Sequence, residues 1–311
     1  MPLDPIVVSL FERLPQLLTY RVWEKTPEEA REAYRTLCDH SDLKDLPIGK
    51  METLQAPGPA GPLTVRAYTP IAPGQSIPAI VYFHGGGFVM GDLDTHDTLC
   101  RTLANESGCR VFSVKYRLAP EFPFPAAIED AFAAVKWVED NATELAIDPN
   151  DIAVAGDSAG GNLAAVTCLL AKANKGSPHI SFQMMFYPSI SLTRELLTRP
   201  FGTGYRLEDR AIQWFYSHYM PPGSDPMDER LSPIAAKDVG GLPAAYVLTA
   251  GFDPLREEAI AYAAKLKAAG VTVTHVDYPT MIHGFLTMQG WIPLAGQAIA
   301  AAGKAVKDAL K

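Results

Sequence analysis

Two hydrophobic rhythms alternate along most of this chain. Short apolar runs of strand type are separated by longer stretches in which apolar positions return every three to four residues, the spacing of a helix with one buried face. The segments 63–68, 79–83, 109–116, 152–155, 180–186, 244–249 and 272–278 read as strands. The segments 126–141, 159–173, 257–269 and 294–310 read as helices, with Ala127, Ala131, Ala134, Val135 and Val138 on one side of the first. Proline and glycine clusters at 56–62 and 70–78 read as turns. Strands that alternate with helices of this length predict an α/β fold, a mostly parallel central sheet with helices on both faces. Such sheets place their sites beyond the carboxyl ends of the strands.

Two segments depart from that rhythm. Residues 1–45 read as helices only, with Thr26 as N-cap, Pro27 at the first helical position, Glu28 and Glu29 in the first turn, and Ala30, Ala33, Tyr34 and Leu37 at helical spacing. Residues 188–240 carry Phe201, Tyr205, Trp214, Phe215, Tyr216 and Tyr219, several prolines and little strand character, with a helix expected at 207–219. Both segments are expected to pack over the sheet edge. The expected organisation is an N-terminal cap segment at 1–45, a catalytic domain at 46–187 and 226–311, and a cap insertion at 188–225.

Composition narrows the function classes. The chain has 311 residues, 48% hydrophobic and 20% charged, which supports a packed core. Its net charge of −8 speaks against a nucleic-acid partner, which requires a basic surface. Cys38, Cys100, Cys109 and Cys168 show neither zinc-knuckle nor CxxC spacing, so buried thiols are expected and no metal. No run approaches the roughly 18 apolar residues of a membrane span. The N-terminal stretch lacks a basic region and a small-residue cleavage site. The expectation is a soluble, cytoplasmic protein with no membrane partner.

The chemistry lies in four turns. Gly156-Asp157-Ser158-Ala159-Gly160 is a G-x-S-x-G motif between a strand and a helix. A turn that tight strains the serine backbone and projects its hydroxyl, while the following helix aims its amides at the reacting centre. Ser158 is therefore the expected nucleophile. His84-Gly85-Gly86-Gly87-Phe88 follows the strand at 79–83. Glycines let a loop turn its N–H groups inward, so Gly85, Gly86 and Gly87, with the amide of Ala159, are expected to bind the alkoxide of a tetrahedral intermediate. A phosphate-binding loop would need Gly-Lys-Ser/Thr or a G-x-G-x-x-G opening a helix, and neither is present. His84 is expected to brace the loop rather than to catalyse. Asp253 and His283 each follow a strand and complete the chain order serine, acid, histidine. His283 would take the hydroxyl proton and Asp253 would fix its tautomer. Asp277, the rival acid, and His275 fall inside a strand; His40 and His218 fall in helices, His179 precedes a strand, and His96 follows the glycine loop as a brace.

Taken together, HGGGF with GDLDTHD, YRLAPEFPFPAAIED, GDSAGGNLA, DPLREEA and HGF resemble the hormone-sensitive-lipase-like group of α/β-hydrolases, over about residues 60–290. The resemblance implies a cap over the site and hydrolysis of short- to medium-chain acyl esters without metal or coenzyme. It implies supporting roles for Asp157 and Glu257 and, from relatives, a homodimer through the edge strand near 272–278. Thr280 departs from the glycine that the group often carries in Y-x-G-M-x-H-G-F. Phe88, Tyr187, Tyr205, Leu207, Phe215 and Ile282 are expected to line the substrate pocket. The alternatives are an amidase, deacetylase or lactonase on the same triad, or a non-catalytic ligand receptor, which in this group lacks the histidine. A prolyl-oligopeptidase-type enzyme would need a longer chain. A lipase acting at an oil surface would need an apolar lid, where this cap mixes Arg199, Arg206, Glu208, Asp209 and Arg210 with its aromatics.

Overall fold

The computed structural model describes residues 1–311 except 19–20, 72, 74–76, 194, 196 and 311. Part of the turn expected at 70–78 therefore lies outside the described residues.

One sheet of eight strands organises the described residues: β1 (Lys50–Gly58), β2 (Gly61–Thr69), β3 (Ile77–Phe83), β4 (Arg110–Val114), β5 (Ile147–Asp157), β6 (Phe182–Phe186), β7 (Ala244–Phe252) and β8 (Val273–Ile282). Their order is β1-β2-β4-β3-β5-β6-β7-β8. β1 and β2 pair antiparallel, as do β2 and β4; every pair from β4 through β8 is parallel. The helices are α1 (Pro5–Arg13), α2 (Pro15–Leu18), α3 (Pro27–Ser41), α4 (Asp97–Ser107), α5 (Ala126–Asp140), α6 (Ala159–Ala173), α7 (Asp209–Tyr219), α8 (Arg256–Ala268) and α9 (Pro293–Ala309).

The central strands are apolar on both faces because both faces are covered. All five residues of β6 are buried, the condition that turns an alternating strand pattern into a continuous apolar run. The four strands that deliver the expected chemistry, β3, β5, β7 and β8, run parallel, so their carboxyl ends share one rim. α3 begins as its sequence predicts. Thr26 Oγ1 accepts from the Glu29 amide at 3.2 Å, and Glu29 Oε2 accepts from the Thr26 amide at 2.8 Å.

The structure adds two elements that periodicity missed. The 56–62 cluster is not all turn: pairing runs through Pro57↔Pro62 and Gly58↔Gly61, leaving a tight hairpin between β1 and β2. β1 is a half-exposed edge strand, where a proline costs no central ladder bond. α4 follows the glycine loop and starts at Asp97 without a side-chain cap, so it lacks the usual start signal.

The N-terminal helices and the 188–240 segment both reach the rim. Asp4 N–H donates to Thr280 O at 3.0 Å, beside the loop that carries His283. The four cysteines are free and buried. Among the described residues no helix is long and apolar enough to cross a membrane.

Candidate active site

Ser158 sits at the turn between β5 and α6 with φ 54° and ψ −115°, a conformation that non-glycine residues rarely hold unless their surroundings impose it. Here they do. The Ser158 amide donates to Phe186 O at 2.9 Å, and its carbonyl accepts from the Asn162 and Ser189 amides, both at 3.1 Å. The flanking glycine is sterically required: a Cβ on Gly160 would lie 1.8 Å from Phe83 O. The strained turn thus fits only against the end of β3, and it holds the serine hydroxyl above the sheet.

Asp253 and His283 meet that hydroxyl from just past the ends of β7 and β8. His283 Nε2 lies 3.0 Å from Ser158 Oγ. On the other side of the ring, Nδ1 lies 2.7 Å from Asp253 Oδ2, and Asp253 Oδ1 accepts from the Leu255 amide at 2.8 Å. The carboxylate is buried, with 1% exposure. With Nδ1–H donating to Asp253, Nε2 is left to accept the serine proton, the tautomer that general-base catalysis needs.

The glycine loop faces Ser158 from the end of β3, and one expected donor is already spent. The Gly85 amide donates to Asp157 Oδ1 at 2.8 Å, so it anchors the loop and is not free for an oxyanion. The amides of Gly86, Gly87 and Ala159 make no hydrogen bond among the described residues, and all three residues line the cavity beside Ser158. The turn depends on Gly86, with φ 119°, where a Cβ would meet Met90 O at 2.3 Å.

Asp157 is the buried hub beneath this loop. It also accepts from Tyr82 Oη at 2.8 Å and lies 3.1 Å from His96 Nε2. Burial alone would raise its carboxyl; the charge and hydrogen bond of His96, with the bond from Tyr82, instead hold it below the ordinary value. His84 braces the loop. It is fully buried, its Nδ1 lies 2.9 Å from Gly85 O, and its ring stacks on Tyr116 at 4.2 Å. Burial pushes its pKa down to about 4, so it is neutral at pH 7.

Three expected residues are placed elsewhere. Glu257 points outward, 66% exposed, and pairs with Arg256 at 2.8 Å. The next residue takes the inward position: Glu258 Oε1 accepts from the Ile190 and Ser191 amides at 2.7 and 3.2 Å. One step along a helix turns a side chain by about 100°, which a short motif does not phase. Burial pushes the Glu258 carboxyl up to about 7. Tyr187 is buried behind the catalytic ring, its centroid 4.9 Å from that of His283, and does not reach the cavity. Ile282 is fully buried at the end of β8, paired with Phe252, because the strand continues to that residue.

Phe88, Tyr205, Leu207 and Phe215 do line the cavity, with Val22, Trp23 and Tyr34 from the N-terminal segment. It encloses about 90 Å³. Sequence reasoning missed Arg206, which lines the same cavity and donates to the carbonyls of His283 and Gly284; nothing in the local pattern marks it apart from other surface arginines. Ser189 and Tyr216, bonded to each other at the cavity wall, were also unmarked.

A strand–turn–helix serine, a histidine–aspartate pair within reach of it and free amides opposite define the class of serine hydrolases built on an α/β sheet. The pattern of the alpha/beta hydrolase fold family matches residues 80–287. The chain belongs to that family, within its hormone-sensitive-lipase-like group. It is 42% identical over 272 residues to the carboxylic ester hydrolase LipN of Mycobacterium tuberculosis, covering 83% of this chain and 70% of that one. It is 40% identical to esterase LipI of the same organism, over 95% and 92% of the two chains. Among solved structures, a hyperthermophilic esterase from Pyrobaculum calidifontis superposes with a TM-score of 0.92 at 40% identity, over 99% of each chain.

Proposed function

We propose that this carboxylic ester hydrolase cleaves short- to medium-chain acyl esters through an acyl-enzyme. Ser158 is the nucleophile, His283 the base and then the acid, and Asp253 the group that orients the imidazole. His283 takes the hydroxyl proton as Ser158 Oγ attacks the ester carbonyl. The alkoxide that forms is stabilised by the amides of Gly86, Gly87 and Ala159. His283 returns the proton to the leaving alcohol; water, activated by the same nitrogen, then releases the acid. The observation that carries this reading is the unbroken chain Asp253–His283–Ser158 at 2.7 and 3.0 Å.

The small cavity supports the short acyl preference, since pockets for drug-sized ligands enclose about 300–1,000 Å³. Lining residues from 22–34 and 205–216 support a cap made of the segments 1–45 and 188–225 over a catalytic domain at 46–187 and 226–311. Four free cysteines support a cytoplasmic location. The half-buried β8, at the sheet edge, supports a homodimer through that strand.

Hydrolysis of p-nitrophenyl esters from acetate to palmitate, by the wild type and Ser158→Ala, tests the reading. Turnover is expected to peak at or below the medium chains and to be lost in the variant. A peak at long, insoluble chains, or turnover surviving in Ser158→Ala, would contradict it.

A further inference from the structure

Arg206 reaches from the segment 188–225 into the site, and its contacts are to the backbone of the turn that carries the base. Its Nη1 donates to His283 O at 3.2 Å and to Gly284 O at 2.9 Å. The packing is close: a Cβ on Gly284, which has φ 74°, would lie 2.0 Å from that nitrogen. No carboxylate lies within 4.0 Å of the guanidinium among the described residues, although Glu208 and Asp157 line the same cavity. The charge is therefore committed to two backbone carbonyls rather than to an ion pair. It is the one Arg or Lys among the described cavity-lining residues.

The same stretch also packs on the end of the strand that leads to the acid. The Tyr205 and Phe201 rings pack against Phe252 at 5.1 and 5.0 Å, and Phe252 immediately precedes Asp253. Residues 201–206 thus touch the His283–Gly284 turn and the end of β7, just before Asp253.

We propose that Arg206 is a positioning residue, which ties the 188–225 segment to the His283–Gly284 turn and so sets the distance between His283 and Ser158. The inference rests on the role proposed for His283. A hydrogen bond donated by a charged group is stronger than a neutral one. Two on one turn fix its placement, and a misplacement of about 1 Å at a reacting centre costs roughly 100-fold in rate. Arg206 touches no reacting atom, so its effect falls on the chemical step.

The test measures kcat and KM for p-nitrophenyl butyrate in the wild type, Arg206→Met and Arg206→Lys, with unfolding midpoints. Methionine keeps much of the length and apolar contact and removes the donors. Arg206→Met is expected to lower kcat by about 10- to 100-fold, with KM within about threefold of wild type and the fold intact. Arg206→Lys, which keeps the charge and one donor, is expected to recover much of kcat. Unchanged kcat in a folded Arg206→Met, or a raised KM at unchanged kcat, would overturn the proposal; the second result would make Arg206 a substrate contact. If Arg206→Met does not fold, wild-type kcat in Arg206→Leu, which also lacks a donor, would overturn it equally. A wild type without butyrate turnover would overturn the proposed function and this inference with it, whereas an active wild type with indifferent variants would overturn this inference alone.

Discussion

Two histidine–aspartate pairs flank Ser158, and they differ in what the second ring nitrogen meets. In the His283–Asp253 pair, Nδ1 is 2.7 Å from the carboxylate and Nε2 is 3.0 Å from the serine hydroxyl, at the cavity wall. In the His96–Asp157 pair, Nε2 is 3.1 Å from the carboxylate and Nδ1 is 2.9 Å from Thr95 Oγ1, with the ring fully buried. The residue types are the same and the distances similar. The first pair has one nitrogen turned to a reactive group and to space for a substrate. The second has both ring nitrogens committed to the protein, and Asp157 Oδ1 also accepts from Tyr82 and the Gly85 amide. One pair is placed to move a proton in the proposed mechanism; the other anchors the glycine loop through the Gly85 amide. Proximity to the nucleophile does not distinguish the pairs; the ring nitrogen that meets the serine hydroxyl does.

Substitutions that probe each pair separately can break this contrast. Asp253→Asn keeps the shape and the acceptor for the Leu255 amide but favours the wrong imidazole tautomer. Its kcat is expected to fall by about 10⁴-fold, the scale seen for such a change in serine proteases, with a much smaller effect on the unfolding midpoint. Steady-state kinetics beside thermal unfolding checks both. Asp157→Asn removes the charge opposite His96 and weakens the anchor of Gly85. A drop in kcat of about 10- to 100-fold is expected, below the cost of a lost oxyanion donor, together with a lower unfolding midpoint. Equal losses of activity in the two variants would mean that the pairs are not functionally distinct.

The smallest effect concerns Glu258, the inward neighbour of the exposed Glu257. Its carboxyl is pushed from an ordinary 4.5 up to about 7 by burial, so the folded state binds the proton more tightly than the unfolded chain. That contribution to stability is complete below about 4.5 and is lost as pH rises towards 7. Glu258→Gln keeps an acceptor for the Ile190 and Ser191 amides and cannot ionise. Unfolding midpoints between pH 4.5 and 7 should decline less steeply in this variant than in the wild type. Parallel curves would mean that Glu258 is not the group responsible.

The contrast also explains what could be read from the sequence. The turns carrying Ser158, Asp253 and His283 were legible because each is local: a strand ends, a tight turn follows and a helix or short loop begins. The roles inside the turns were less legible, because they depend on neighbours far along the chain. HGGGF does not state that the Gly85 amide is taken by Asp157, 72 residues away in sequence. DPLREEA does not fix which glutamate faces inward. Tyr187 and Ile282 adjoin motif residues in the sequence, yet both are buried outside the cavity lining. β1 was hidden by the prolines and glycines that close its hairpin, and α4 by the absence of a capping side chain. Arg206 was invisible for the same reason as Gly85: its partners are carbonyls about 78 residues on.

The most direct test of the central claim, that the Asp253–His283 pair activates Ser158 specifically, is stoichiometric labelling with diethyl p-nitrophenyl phosphate. The expected result is a burst of one nitrophenolate per chain, a diethylphosphoryl group located on Ser158 by peptide mass spectrometry, and little or no burst in His283→Ala. A label on another residue, or an undiminished burst in that variant, would contradict it.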